Sequence, residues 1–115
     1  MENKVTDKQT AEYYSWGNHC LGWILAESDM LSIKQELMPG KTREQLHFHE
    51  HACQFFFILR GRATFHAENR QHELKEQQGI MIPPATRHFI ANETNEELEF
   101  LVISQPLTSN DRINI

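Results

Sequence analysis

The stretch His47-Phe48-His49-Glu50-His51-Ala52-Cys53-Gln54-Phe55-Phe56-Phe57-Ile58-Leu59-Arg60-Gly61 decides how this chain is read. Side chains alternate along a strand, so His47 and His49 point to the same face. Farther along, Pro83-Pro84-Ala85-Thr86-Arg87-His88, with Asn92 behind it, brings a third imidazole on another extended segment. Such a cluster has the makings of a mononuclear metal site, because imidazoles and an amide oxygen from separate strands can close around one divalent ion.

Outward from this stretch the chain breaks into short extended runs: Leu31 to Met38, Arg43 to His49, Phe55 to Arg60, Ala63 to Ala67, His72 to Leu74, Gly79 to Ile82, His88 to Asn92 and Leu98 to Ser104. Turn signals such as Pro39-Gly40, Gly61, Glu68-Asn69-Arg70 and Pro83-Pro84 separate them. Many short strands at close spacing indicate an all-β sandwich or barrel. In the second of the central strands, Gln54, Phe56 and Ile58 share one face, and Phe55, Phe57 and Leu59 share the other. Both faces are apolar, so one lines the interior and the other needs a cover. The N-terminal segment or a second subunit would supply it, and a homodimer is the expectation.

Residues 1–30 read as an N-terminal arm and an aromatic segment (Tyr13, Tyr14, Trp16, Trp23) packing on a barrel formed by residues 31–115, one domain overall. A net charge of −5 and the lack of a basic block argue against nucleic acid as a partner. No run approaches the roughly 20 apolar residues of a membrane-spanning helix. The two cysteines, Cys20 and Cys53, lie far apart behind no apolar leader, which reads as free thiols and a cytoplasmic location.

Both histidine motifs resemble those of the cupin superfamily, small double-stranded β-helix barrels of the jelly-roll type. Its first motif runs G-x5-H-x-H-x3,4-E-x6-G, and this chain has Gly40, His47, His49, Gln54 and Gly61. Its second runs G-x5-P-x-G-x2-H-x3-N, matched here by Gln77, Pro83, Ala85, His88 and Asn92. The resemblance covers roughly residues 31 to 104 and implies an all-β jelly-roll cupin barrel. Carried onto the matched positions, it implies His47, His49 and His88 as metal ligands, with Gln54 as a weaker fourth, and one divalent transition metal (Zn, Fe, Mn or Ni).

Three departures matter, and the one at Gln54 touches chemistry. Gln54 stands where the family has glutamate and brings no negative charge, so the metal would be held less tightly and keep its full +2. Gln77 and Ala85 stand where the family has glycine, and a slightly altered turn is expected at Ala85, which would be strained at positive φ. His51 and Cys53 are rival ligands, continuing the phase of His47 and His49 if the strand does not turn. Arg43 and Gln45, in that same phase, are the candidate substrate-binding residues: the guanidinium for an anionic group, the amide for a bound water or substrate oxygen.

His19, His66 and His72 read as structural or surface residues, and Cys53 lacks the positioned base that nucleophilic catalysis needs. No residue qualifies clearly as a general base, because Glu36, Glu44, Glu50 and Glu68 are expected to point outward or lie in loops, and Asp29 is the one aspartate near the apolar body. A metal-dependent enzyme acting on a small anionic or carbonyl-bearing molecule, dioxygenase- or isomerase-like, therefore stands slightly ahead of a non-catalytic small-molecule or sugar-binding module. A metal-free relic of such a site stands last.

Overall fold

Two six-stranded antiparallel sheets face each other across the apolar side of the central strand, in a computed structural model that describes residues 3–108 and 110–115. In chain order the strands are β1 (Glu12–Trp16), β2 (Cys20–Glu27), β3 (Ser32–Met38), β4 (Thr42–Arg43), β5 (His47–His49), β6 (Cys53–Arg60), β7 (Ala63–Ala67), β8 (Arg70–Leu74), β9 (Gly79–Ile82), β10 (His88–Asn92), β11 (Leu98–Gln105) and β12 (Arg112–Asn114). One sheet runs β1-β2-β3-β11-β6-β9; the other runs β12-β5-β10-β7-β8, with the short β4 also paired to β10. No helix is found among the described residues, and none is long and apolar enough to cross a membrane.

Alternation along β6 sets the layers. Gln54, Phe56 and Ile58 are buried between the sheets, while Phe55, Phe57 and Leu59 are half-buried on the outer face. Phe56 meets Phe65 edge to face at 4.8 Å and Phe100 at 6.1 Å, and Ile58, Ile90 and Leu98 complete a core with almost no exposed surface. Each such side chain contributes roughly 1.5–3 kcal/mol by leaving water. On the outer face, the rings of Phe55 and Phe57 lie near parallel, 6.3 Å apart. Gly61 turns the chain from β6 into β7 at φ +89°, where an added Cβ would come within 2.6 Å of the Glu97 carbonyl oxygen.

The aromatic N-terminal segment is more than a cover. Residues 12–27 form the hairpin β1-β2, and β2 pairs with β3, so this segment extends the first sheet. Only the residues before it behave as an arm: Lys8 reaches across to Glu99 and sits over the Trp23 ring. Sequence periodicity missed the hairpin because its apolar residues are grouped (Tyr13-Tyr14, Trp23-Ile24-Leu25) and its two edge positions stay partly exposed.

The stretch Arg43 to His49 is not one regular strand. The chain leaves the ladder at residues 44–46 and rejoins it at His47, with Glu44 N donating to the Ile90 carbonyl on the way. This break changes which side chains face inward, with consequences for the site.

Candidate metal centre

His47 and His49 project from β5 into the space between the sheets, and His88, directly opposite His47 in the β5–β10 register, projects from β10. All three are at least 95% buried, with ring centroids 4.4 Å (His47–His88), 5.1 Å (His47–His49) and 5.9 Å (His49–His88) apart. One ligand atom from each lies within 4.8 Å of the others.

Their tautomers are set from behind. His47 Nδ1 donates to the Gln45 carbonyl at 2.8 Å and His88 Nδ1 to the Thr86 carbonyl at 2.8 Å, which leaves both Nε2 lone pairs directed inward. His49 turns its Nδ1 toward Asp111, whose Oδ2 is 3.9 Å away, too far for a hydrogen bond. Burial, opposed by the Gln45 carbonyl and reinforced by His88, pushes His47 down to about 3. Burial, reinforced by His88 and opposed by Asp111, pushes His49 down to about 4, and burial lowers His88 as well. The rings are therefore neutral near pH 7, the form that ligates metals.

Gln54 joins them from β6. Its Nε2 donates to Ser104 Oγ at 3.1 Å, its opposite number on β11, and its Oε1 lies 3.2 Å from His88 Nε2. Since the His88 proton is committed to Thr86, its Nε2 lone pair meets the Gln54 amide, which can turn its oxygen to a shared cation or its nitrogen to the ring, with the Ser104 hydroxyl accepting or donating to match. The donor set of three neutral imidazoles and an amide oxygen thus fits a divalent transition metal.

The rivals fall away on position. The His51 side chain is 80% exposed beyond the end of β5, and Cys53 lies on the outer phase of β6 with its Sγ beside Met81. Arg43 and Gln45 do not reach the cavity either. Both are exposed; Arg43 stacks its guanidinium 4.9 Å from the Phe89 ring, and Gln45 contributes only its carbonyl to His47. Their assignment rested on a regular strand, and the break at residues 44–46 puts Glu44 inside instead.

The imidazoles open into a cavity of about 240 Å³ whose other walls the sequence reading missed: Tyr14, Lys34, Glu36, Glu44 and Arg112. Tyr14 donates its hydroxyl to Glu36 Oε2 at 2.5 Å. Tyr14, Gly22 and Glu36 are cross-strand partners in one row over β1, β2 and β3, so the tyrosine reaches Glu36 only by crossing Gly22. A Cβ on Gly22 would stand 2.2 Å from Tyr14 Cζ, which makes the bare glycine a condition of the contact.

Glu44 pairs with Arg112 (3.3 Å) and lies 3.9 Å from His47 Nδ1. Burial, against the pull of Arg112, pushes Glu44 up to about 7. Burial also raises Glu36, against the Tyr14 hydrogen bond, Lys34 and Arg112, and raises Tyr14. The expectation that Glu36 and Glu44 point outward is thus corrected. A signal for Glu36 was present: it shares the period-two phase of Met38, which is fully buried. Asp111 was missed because it sits in a polar tail; its carboxylate accepts from the backbone N–H groups of His51 (3.1 Å) and Ala52 (3.0 Å), fixing the chain just after the histidines.

The turn leading to His88 is not altered. Ala85 takes φ +65°, and Gln77, at the other position where the motif has glycine, takes φ +66°. Ala85 N donates to the His49 carbonyl at 2.7 Å and Gln77 N to the Ile58 carbonyl at 2.8 Å, so tertiary bonds hold a backbone shape that the side chains disfavour. Asn92 closes the motif from inside: its Nδ2 lies 2.7–3.1 Å from the carbonyls of Met38, Pro39 and Glu96, and its Oδ1 accepts from Thr94.

The family model described as "Cupin domain" matches residues 33–104, from β3 to β11. The chain belongs to the cupin superfamily. An uncharacterized protein of Methanocaldococcus jannaschii is 32% identical over 84 residues, 73% of this chain and 67% of that one. Among solved structures, a predicted oxalate decarboxylase from Thermotoga maritima superposes with a TM-score of 0.81 at 21% identity, over 90% of this cupin and all of that chain. A polyketide cyclase from Streptomyces resistomycificus does so with a TM-score of 0.82 at 16% identity, over 100% of this cupin and 86% of that chain. At these identities the likeness carries the fold alone.

Proposed function

We propose that this cupin is a metal-dependent enzyme, isomerase- or dioxygenase-like, acting on a small anionic or carbonyl-bearing molecule. The observation that carries the reading is the inward set of three neutral imidazoles, each buried, two with Nδ1 tied to a backbone carbonyl. His47, His49 and His88 would hold the ion, with Gln54 Oε1 as the fourth donor. A divalent ion held there would supply Lewis-acid chemistry, stronger for want of the motif's glutamate charge.

The chain's own residues do the rest. Ser104 holds the Gln54 amide in place. Asp111 fixes the backbone after His49. Lys34 and Arg112 face Glu36 and Glu44 across the cavity; with Arg112 paired to Glu44, Lys34 is the cation placed to meet an anion. The cavity volume lies below the roughly 300–1,000 Å³ of pockets for drug-sized ligands, which favours a small substrate.

Elemental mass spectrometry on tag-free protein purified without chelators tests the reading, with the His47→Ala, His49→Ala double variant as control. Near-stoichiometric metal in the wild type, lost in the variant, supports it. Substoichiometric metal unchanged in the variant overturns it and leaves a metal-free binding module. We further propose a cytoplasmic homodimer that covers Phe55, Phe57 and Leu59 on the outer face. A clean 13.5 kDa species in sedimentation at micromolar concentration would remove the dimer.

A further inference from the structure

Glu36 and Tyr14 form a built pair inside the metal cavity that metal binding does not require. Tyr14 comes from β1, crosses the bare Gly22 and commits its hydroxyl to Glu36 Oε2, while Glu36 Oε1 has no hydrogen-bond partner among the described residues and the side chain lines the cavity. Glu36 is half-buried, and its free Oε1 is left open to whatever occupies the cavity. Lys34, two residues away on the same face of β3, also lines the cavity and places a positive charge near the pair, its Nζ 5.7 Å from the Tyr14 ring centre.

We propose that Glu36 is the proton-transfer residue of this cavity, positioned by Tyr14, and that the substrate is a small enolisable 2-oxo acid whose carboxylate is met by Lys34. The proposal rests on the metal-dependent reading above and names its substrate class. In the step, the Glu36 carboxylate takes a proton from the carbon next to the carbonyl. The C–H electron pair becomes the new C=C bond, and the carbonyl π pair moves onto oxygen, giving an enolate on the imidazole side of the cavity. Return of the proton from the Glu36 carboxyl to carbon regenerates the carbonyl, so no oxidant or second reactant is consumed. Such a base works best when its own proton affinity lies near the working pH, and burial moves Glu36 in that direction. The titratable and charged groups around it are Tyr14 from β1, Cys20 from β2, Lys34 on β3, Glu44 from the segment between β4 and β5, and Arg112 from β12. Among these, Tyr14 acts by holding Oε2, which directs the basic Oε1 into the cavity.

Two readouts test this. Zinc-loaded protein is incubated with 2-oxobutyrate in D2O, and loss of the C3 proton signal is followed by NMR. Wild type should exchange these protons well above the buffer rate, Glu36→Gln at least 100-fold more slowly with unchanged zinc stoichiometry, and Tyr14→Phe about tenfold more slowly. Independently, the Glu36 side-chain carboxyl is titrated by carbon-13 NMR in metal-free protein, where Tyr14→Phe should move its midpoint upward, because the lost hydrogen bond favoured the ionised form. Glu36→Gln exchanging at the wild-type rate, wild type no faster than buffer, or an unmoved midpoint in Tyr14→Phe would each overturn the proposal. If the His47→Ala, His49→Ala variant keeps Glu36-dependent exchange, the metal reading fails and the role of Glu36 stands.

Discussion

Replacing Gly22 by alanine puts one methyl group where the Tyr14 ring crosses β2. The new Cβ would lie 2.2 Å from Cζ, 2.4 Å from Cε2 and 2.5 Å from the hydroxyl oxygen of Tyr14. Ordinary carbon contacts lie at about 3.5–4.0 Å, so the ring must withdraw by more than about 1 Å. That breaks the 2.5 Å bond to Glu36. Loss of a hydrogen bond to a carboxylate costs roughly 1.5–3 kcal/mol and overpacking roughly 1–3 kcal/mol, against roughly 0.5–1 kcal/mol gained by alanine over glycine in a strand. We expect a net destabilisation of about 2–4 kcal/mol, a fall in Tm on the order of 10 °C for a domain of this size. Urea unfolding of Gly22→Ala in the wild-type and Tyr14→Ala backgrounds measures the coupling. With the ring gone, the same substitution should become neutral or stabilising by up to about 1 kcal/mol. Equal destabilisation in both backgrounds would refute the idea that Gly22 is bare to let Tyr14 pass.

Three further outcomes are expected. Gln54→Glu should tighten zinc binding by at least about tenfold, roughly 1.4 kcal/mol, through the added charge; calorimetry showing equal or weaker binding would mean the amide does not touch the metal. Burial pushes the Glu99 carboxyl up, but Lys8, Gln35 and Arg60 outweigh it and hold it below its ordinary 4.5. Because the folded-state value is the lower one, this stabilisation is present above about pH 4.5 and is lost as pH falls through the folded value, so Glu99→Gln should flatten the acid limb of a stability–pH curve. Asn92→Ala takes the amide away from the carbonyls of Met38, Pro39 and Glu96, of which Pro39 and Glu96 keep the Thr42 and Thr94 hydroxyls, and should cost about 2 kcal/mol by urea unfolding, whereas a loss under about 1 kcal/mol would mean water replaces the amide.

The barrel was legible where one face of a strand is uniformly apolar. Ala63–Ala67, Gly79–Ile82 and His88–Asn92 were placed at their observed bounds, and the inward face of β6 was read correctly from alternation alone. The imidazole cluster was legible for the same reason: two histidines two apart and a third after a proline turn. The remaining cavity wall was obscured by two physical facts. A strand that lines a polar cavity carries charge inward, so Lys34 and Glu36 on β3 mimic a solvent face. A break of three residues at 44–46 then inverts the phase upstream of His47, moving Arg43 and Gln45 out and Glu44 in. Asp111 and Arg112 reach the site through pairing of β12 with β5, a contact between distant segments that no local pattern announces.

The two non-glycine turns at Gln77 and Ala85 bear on the order in which this chain assembles. Left-handed backbone costs an ordinary residue roughly 1–2 kcal/mol, so neither turn forms on its own in the unfolded chain. Each is clamped by a bond to a distant strand, Gln77 to Ile58 and Ala85 to His49, and must wait until β6 and β5 are in place. Glycine at either position should therefore slow unfolding more than it speeds folding, the signature of an interaction made after the transition state. If so, the segment that delivers His88 is among the last to lock, and the imidazole cluster closes as folding ends.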